Sequence, residues 1–239
     1  MDFALTSQFW VALGEIMVVN ILLSGDNAVV IALACRNLPK KYRNPAVLAG
    51  SGGAVLLRVL FCFVVAWLME IPFLKVAGGA LLLWIGVRLL VPEHEDGDGD
   101  GHGASNLWGA IRTIVIADAV MSLDNVIAIA AAAKGDMTLI ITGLVLSIPL
   151  IVFGSQLLLG VLNRFPVLVT AGGALLGWIA GEVIVTDPAL HHWAEGMGHN
   201  VELAAAVAGA AIVVLVGKTL ARRAEARARL ADLSVENPE

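Results

Sequence analysis

Asn20-Ile-Leu-Leu-Ser24-Gly25-Asp26-Asn27 and Asp118-Ala-Val-Met-Ser122-Leu123-Asp124-Asn125 are two versions of one phrase, each set inside an apolar run. Both continue into a small apolar tail, Ala28-Val29-Val30-Ile31-Ala32 in the first and Val126-Ile127-Ala128-Ile129-Ala130 in the second. An acid beside an amide in such a setting is expensive, roughly 2.5–3.5 kcal/mol for Asp at a membrane centre on insertion scales. Placing it twice at matched positions calls for a ligand or a partner.

Composition identifies the solvent. The 239 residues are 59% hydrophobic and 15% charged, and mean hydropathy is +0.86. A chain this apolar has too little polar surface to cover itself in water, so the bilayer is its medium. Residues 1–8 carry no basic segment of the kind that opens a cleavable signal. Seven runs have the roughly 20 residues that a span needs, near 9–34, 46–69, 73–91, 107–133, 138–161, 165–186 and 200–220. Positive charge gathers on alternate connections. Arg36, Lys40, Lys41 and Arg43 follow the first span, Arg164 the fifth, and Lys218, Arg222, Arg223, Arg227 and Arg229 the seventh, against Lys75 and Lys134 on the other side. The positive-inside rule then puts the N-terminus outside and the C-terminus in the cytoplasm of a cell (inner) membrane protein. The bilayer is the expected partner; no nucleic acid is expected.

The duplication extends beyond the phrase. Pro72-Phe-Leu-Lys-Val-Ala-Gly78-Gly79-Ala-Leu-Leu-Leu-Trp84-Ile aligns with Pro166-Val-Leu-Val-Thr-Ala-Gly172-Gly173-Ala-Leu-Leu-Gly-Trp178-Ile. The offset is 98 residues for the phrase (26 to 124) and 94 for this stretch (78 to 172). Each unit holds three spans, an odd number, so the two units enter the membrane from opposite sides. The expected fold is an all-α membrane protein: two inverted three-helix repeats plus one C-terminal helix. In residues, this means a first repeat at 1–91, an acidic Gly/His cytoplasmic linker at 92–106 and a second repeat at 107–186. An outer loop with the seventh helix follows at 187–221, then a charged cytoplasmic tail at 222–239.

Inversion brings the two phrases together near the bilayer centre, where inverted-repeat transporters hold substrate. On an ideal helix Asn20, Ser24 and Asn27 line one stripe, as do Asp118, Ser122 and Asn125. Asp26 and Asp124 point off it, which suggests unwinding at Gly25 and its counterpart Leu123, or acids serving another part of the site. Carboxylate, amide and hydroxyl oxygens suit hard divalent ions such as Mn²⁺, Ca²⁺ or Mg²⁺. No His lies in a span, and Cys35 and Cys62 are isolated thiols. Arg58, mid-span in the second helix, is the base available to pair with the acids; such pairing would lock helices together or neutralise the empty site until a cation arrives. Glu15, eleven residues before Asp26, shares its helical face and is a candidate accessory ligand.

The paired Ser-x-Asp-Asn phrases within seven apolar spans resemble the TerC-type integral membrane proteins, particularly a YjbE-like subgroup, over roughly residues 9–186. That resemblance implies a bacterial inner-membrane protein of manganese efflux, grouped with LysE-type exporters, with Mn²⁺ as the transported ion and no resident cofactor. Its metal set would be Asp26, Asn27, Asp124 and Asn125, with Asn20, Asp118, Ser24 and Ser122 nearby. The halves differ chemically, because Asn20 stands where the second copy has Asp118. Three ionised carboxylates (Asp26, Asp118 and Asp124) would repel one another, which suggests proton coupling through Asp118 unless Arg58 balances the charge.

Other polar stretches carry less. Asp96-Gly-Asp98-Gly-Asp100-Gly101 begins like a calcium loop but has Leu107 at its twelfth position, so it reads as a solvated linker. His191, His192, Glu195 and His199 are irregularly spaced in the outer loop. No serine–histidine pair or His-Glu-x-x-His helix occupies a span, so an enzyme is not expected. The competing function is a membrane accessory protein that binds metal and delivers it to secretion machinery or exported proteins.

Overall fold

The structure is a computed structural model that describes residues 10, 13–14, 25–68, 71–91, 100–133, 137–190 and 200–236. These form seven helices: α1 (Gly25–Cys35), α2 (Lys40–Leu68), α3 (Leu74–Leu90), α4 (Asp100–Ala132), α5 (Met137–Arg164), α6 (Pro166–Val185) and α7 (Asn200–Glu236). No strand occurs among the described residues. Five helices contain stretches long and apolar enough to cross a membrane: Lys40–Val64, Asn106–Leu123, Thr138–Leu162, Val167–Val185 and Asn200–Ala226. The 17 residues of α3 rise about 25 Å, and 11 residues of α1 are described. α4 starts at Asp100, earlier than the expected 107, so the end of the acidic stretch is helical. α4 also runs unbroken through Leu123, which excludes unwinding there.

Polarity is arranged for a lipid solvent. Phe63, Phe153 and Leu215 are more than 60% exposed, whereas Arg58, Asp118, Ser122, Ser147 and Ser155 are buried. Between them lies a shared apolar core with Ile31 and Leu33 of α1, Val47 of α2, Leu82 of α3, Ile114 of α4, Leu162 of α5, Leu176 of α6 and Val213 of α7.

The helices pair across the midpoint of the chain. Among the first six helices α1 packs on α5, α2 on α4, and α3 on α6, while neighbours in sequence touch less; the close pairing of α6 with its neighbour α7 is the exception. The α3–α6 joint is reciprocal. A Cβ on Gly79 would strike Ile184, and one on Gly173 would lie 2.8 Å from Leu90 Cδ2. Residue 79 meets 184 and residue 90 meets 173, so the helices run antiparallel, and the two contacts exchange under the 94-residue offset. Tryptophans at the same offset each engage a charged residue one turn on: Arg88 lies over the Trp84 ring at 5.3 Å, and Trp178 Nε1 donates to Glu182 Oε1 at 2.7 Å.

α7 has no counterpart in the duplication, and its attachment is explicit. Gly177 and Gly181 of α6 meet the backbone of Gly209 and Ala205 on α7, close enough that no Cβ fits. This is the small-xxx-small contact of membrane helices, where dispersion and backbone approach replace the hydrophobic effect. The equivalent positions on α3 are Leu83 and Val87, which explains why α7 docks through α6 and touches α3 at Gly86 and Gly217 instead.

One polar clamp closes an end of the bundle. Asp187, fully buried just after α6, accepts backbone N–H bonds from Phe73 (2.9 Å), Lys75 (3.0 Å), Val76 (3.2 Å) and Ala189 (2.8 Å). Three of those donors belong to the start of α3, whose first-turn N–H groups have no partner inside the helix. Phe73 sits in the left-handed region at φ 64°, a strained setting for a bulky residue that the Asp187 bond helps to hold.

Candidate metal site

α2 and α4 lie side by side because α2 presents small residues to α4. A Cβ at Gly50 would stand 2.7 Å from Ile114 Cδ1, and one at Gly53 3.0 Å from Val115 Cγ2. One or two turns further along this seam, Arg58 of α2 reaches α4. Its Nη2 donates to Asp118 Oδ1 at 2.6 Å, and its Nε donates to Ser122 Oγ at 3.0 Å. Ser122 in turn donates to Asp118 Oδ2 at 3.0 Å, closing a triangle. Asp118 and Ser122 are four residues apart, so α4 presents both on one stripe. All three groups are buried, with Arg58 only 2% exposed. Removing one partner from such a buried pair costs about 3–5 kcal/mol, because the remaining charge is stranded.

α1 brings the first phrase to the same region. Asp26 is half-buried and lies within electrostatic reach of both Arg58 and Asp118. Its Oδ1 accepts the Asn27 N–H at 2.8 Å. Asn27 is 4% exposed, yet neither its Nδ2 nor its Oδ1 has a hydrogen-bond partner among the described residues. Leaving a buried amide unsatisfied costs about 1–3 kcal/mol per group. Ser51 Oγ, two turns before Arg58 on α2, is buried in the same condition. Polar atoms of this kind are what an oxygen-ligated cation with its residual water would use.

The expected residues therefore fall into three groups. Arg58, Asp118, Ser122, Asp26 and Asn27 are brought to one region of α1, α2 and α4. Asn125 is half-buried, farther along the Asp118–Ser122 stripe of α4. Asn20, Ser24 and Glu15 lie outside the described residues, as do His191, His192, Glu195 and His199; for Asp124 only the helical backbone is described. Among the described residues no three His, Cys, Asp or Glu side chains gather into a metal-holding cluster. A cation here would rest on a mixed set of carboxylate, amide and hydroxyl oxygens. Cys35 and Cys62 are both free thiols.

Sequence reasoning missed three features: the Asp187 clamp, the unpartnered Ser51 and the Gly177-x-x-x-Gly181 seam. The last is a motif in plain view; the first had no local signal, since Asp187 serves amides 111 to 114 residues away.

The chain is 43% identical to the uncharacterized membrane protein YjbE of Bacillus subtilis over 185 residues, 77% of this chain and 83% of the relative. It is 25% identical to YceF of the same organism over 215 residues, covering 87% and 81%. It is also 28% identical to the inner membrane protein YoaE of Escherichia coli, covering 93% of this chain and 45% of that longer one. No solved structure matches. The sequence profile of the integral membrane protein TerC family matches residues 5–225, and the chain, a multi-pass integral membrane protein, belongs to that family.

Proposed function

We propose that the chain carries a divalent cation, manganese in first place, out across the cytoplasmic membrane, and that it is a transporter and not an enzyme. The observation that carries this reading is the unpartnered Asn27 amide beside half-buried Asp26. Asp26 lies within electrostatic reach of Arg58 and Asp118, which form the buried triangle with Ser122. Manganese and the outward direction come from the family resemblance; hard oxygen donors are in keeping with it. Asp26, Asn27, Asp124 and Asn125 form the proposed inner ligand set, with Asp118, Ser122, Asn20 and Ser24 around it.

Seven spans in two inverted repeats belong to the same proposal. Its support is the pairing of helices between halves, the reciprocal Gly79–Ile184 and Gly173–Leu90 contacts, and the antiparallel run of α3 against α6. An outside N-terminus follows from the positive-inside asymmetry. Arg58 also bears on coupling. Its guanidinium offsets the charge of Asp118 and leaves Asp26 and Asp124 as the two charges that a divalent cation would neutralise, so charge balance does not require proton coupling through Asp118.

The test is Mn²⁺ flux into or out of vesicles reconstituted with the full chain. Wild type should carry Mn²⁺, and Asp26→Asn and Asp124→Asn should each lower flux by about tenfold or more, since each removes a charge that a poorly solvated cation needs. Mn²⁺ bound but not moved by wild type would favour the accessory role, and flux indifferent to both substitutions would remove these acids from the pathway.

A further inference from the structure

We propose that Arg58 is a tethered stand-in for the transported cation: its guanidinium holds the site's oxygens when the cation is absent and must leave Asp118 for the site to fill. The proposal rests on the transport reading above and adds the residue that regulates loading and release.

Arginine does not shed its proton inside a protein, so a guanidinium that is 2% exposed needs a permanent counter-charge. Asp118 supplies it at 2.6 Å. The same contact uses up oxygens that a metal ion would need. Asp118 Oδ1 takes Nη2, Ser122 Oγ takes Nε, and Asp118 Oδ2 takes the Ser122 hydroxyl. A cation and Arg58 therefore compete for one set of lone pairs. Beside them, Asp26 and the unpartnered Asn27 amide are not consumed by these bonds. The region thus combines oxygens taken by the protein's own cation with polar atoms that these bonds leave unused.

A helix lock with no other role would also bury an ion pair, but it would not have reason to leave an orphaned amide and a second carboxylate alongside. Nor would it gain from a partner as strongly charged as arginine, because well-packed apolar residues of similar volume serve as well or better for stability. Exchange of the guanidinium for the incoming ion keeps Asp118 paired with a positive charge throughout loading. It also supplies a restoring force: the returning guanidinium helps expel the bound ion toward the release side.

The test uses the full chain, with Mn²⁺ as probe, Kd from electron paramagnetic resonance titration in detergent, and KM and kcat from vesicle flux. Arg58→Gln removes the competitor. It should bind Mn²⁺ at least about tenfold more tightly, the repulsion expected between a unit and a divalent charge about 6 Å apart even in a water-like dielectric. It should release more slowly, so KM and kcat fall together. A lock lost for structural reasons would instead lower kcat with KM unchanged or raised, and that result overturns the proposal. Should Arg58→Gln fail to fold, the comparison moves to Asp118→Asn against the Arg58→Gln/Asp118→Asn pair. The single variant keeps the competing charge and loses its counter-ion; the pair should bind Mn²⁺ at least about tenfold better than it. Equal or weaker binding by the pair refutes the idea. Failure of wild type to bind Mn²⁺ would overturn the transport reading itself, whereas normal wild-type flux with an indifferent Arg58 overturns this inference alone.

Discussion

Replacing Asp187 by Asn tests the clamp that joins the end of α6 to the start of α3. The carboxylate accepts two N–H groups on each oxygen: Phe73 and Ala189 on Oδ1, Lys75 and Val76 on Oδ2. Asparagine keeps one acceptor oxygen and turns the other position into an NH₂ group facing two donors. Hydrogen bonds to charged groups are worth about 1.5–3 kcal/mol each, so losing two costs about 3–6 kcal/mol. For a chain of this size that is about 6–24 °C in unfolding temperature at about 2–4 °C per kcal/mol. Four donors also act on the carboxyl itself. Burial alone would raise its pKa, but the backbone bonds from Ala189, Phe73, Val76 and Lys75 outweigh burial and hold it below the ordinary 3.8. A depressed folded pKa means stability that is complete above the unfolded value and lost as pH falls through the folded one. Thermal unfolding in detergent, followed by tryptophan fluorescence, should therefore show a constant gap between wild type and Asp187→Asn at neutral pH. The gap should close only when the solution is more acidic than about pH 3.8. A shift below about 2 °C, small against the cost of a lost helix cap, or a gap that persists unchanged into acid, would refute the clamp.

Two further outcomes follow from the packing and the topology. Gly181→Leu should prise α7 from α6 and lower the unfolding temperature well beyond Gly52→Ala, which meets nothing within 4 Å; equal effects would mean that the α6–α7 seam is unimportant. Single cysteines at Ser7 and His192 should react with an impermeant thiol reagent applied outside, and those at Asn44, Ser105 and Ser234 only after the membrane is opened. Labelling of Ser105 from outside would contradict the inverted arrangement.

What the sequence made legible was mainly what is local or periodic. Apolar runs announced the helices, because a span must satisfy its backbone internally, and the second copy of the repeated phrase contains Asp118 and Ser122, which meet Arg58. Arg58 was visible as the buried base. Which acid it would meet was not, since that depends on α2 sliding onto α4 at Gly50 and Gly53, a non-local event. Asp100 to Asn106 read as linker because Gly and Asp disfavour helix interiors, yet the segment joins α4. The α6–α7 seam was hidden for a different reason. The two copies differ there, with Gly177 and Gly181 standing opposite Leu83 and Val87, so the repeat carries no trace of the seam.

The Arg58–Asp118 pair also sets a timetable for biogenesis. The two residues are 60 positions apart and belong to different halves, so Arg58 enters the membrane before its counter-ion has been synthesised. At roughly 5–20 residues per second, the interval is about 3–12 s. During it the guanidinium must be tolerated at a cost of about 2.5–3.5 kcal/mol in a bilayer interior, or be kept at the wet margin of the insertion machinery. The other joints between halves wait in the same way, since α1 needs α5 and α3 needs α6. The first three helices are thus an open half-shell when made. Insertion of α4 neutralises a charge, draws α2 against it and begins the closure, so the order of translation is also the order in which the polar centre becomes electrically balanced.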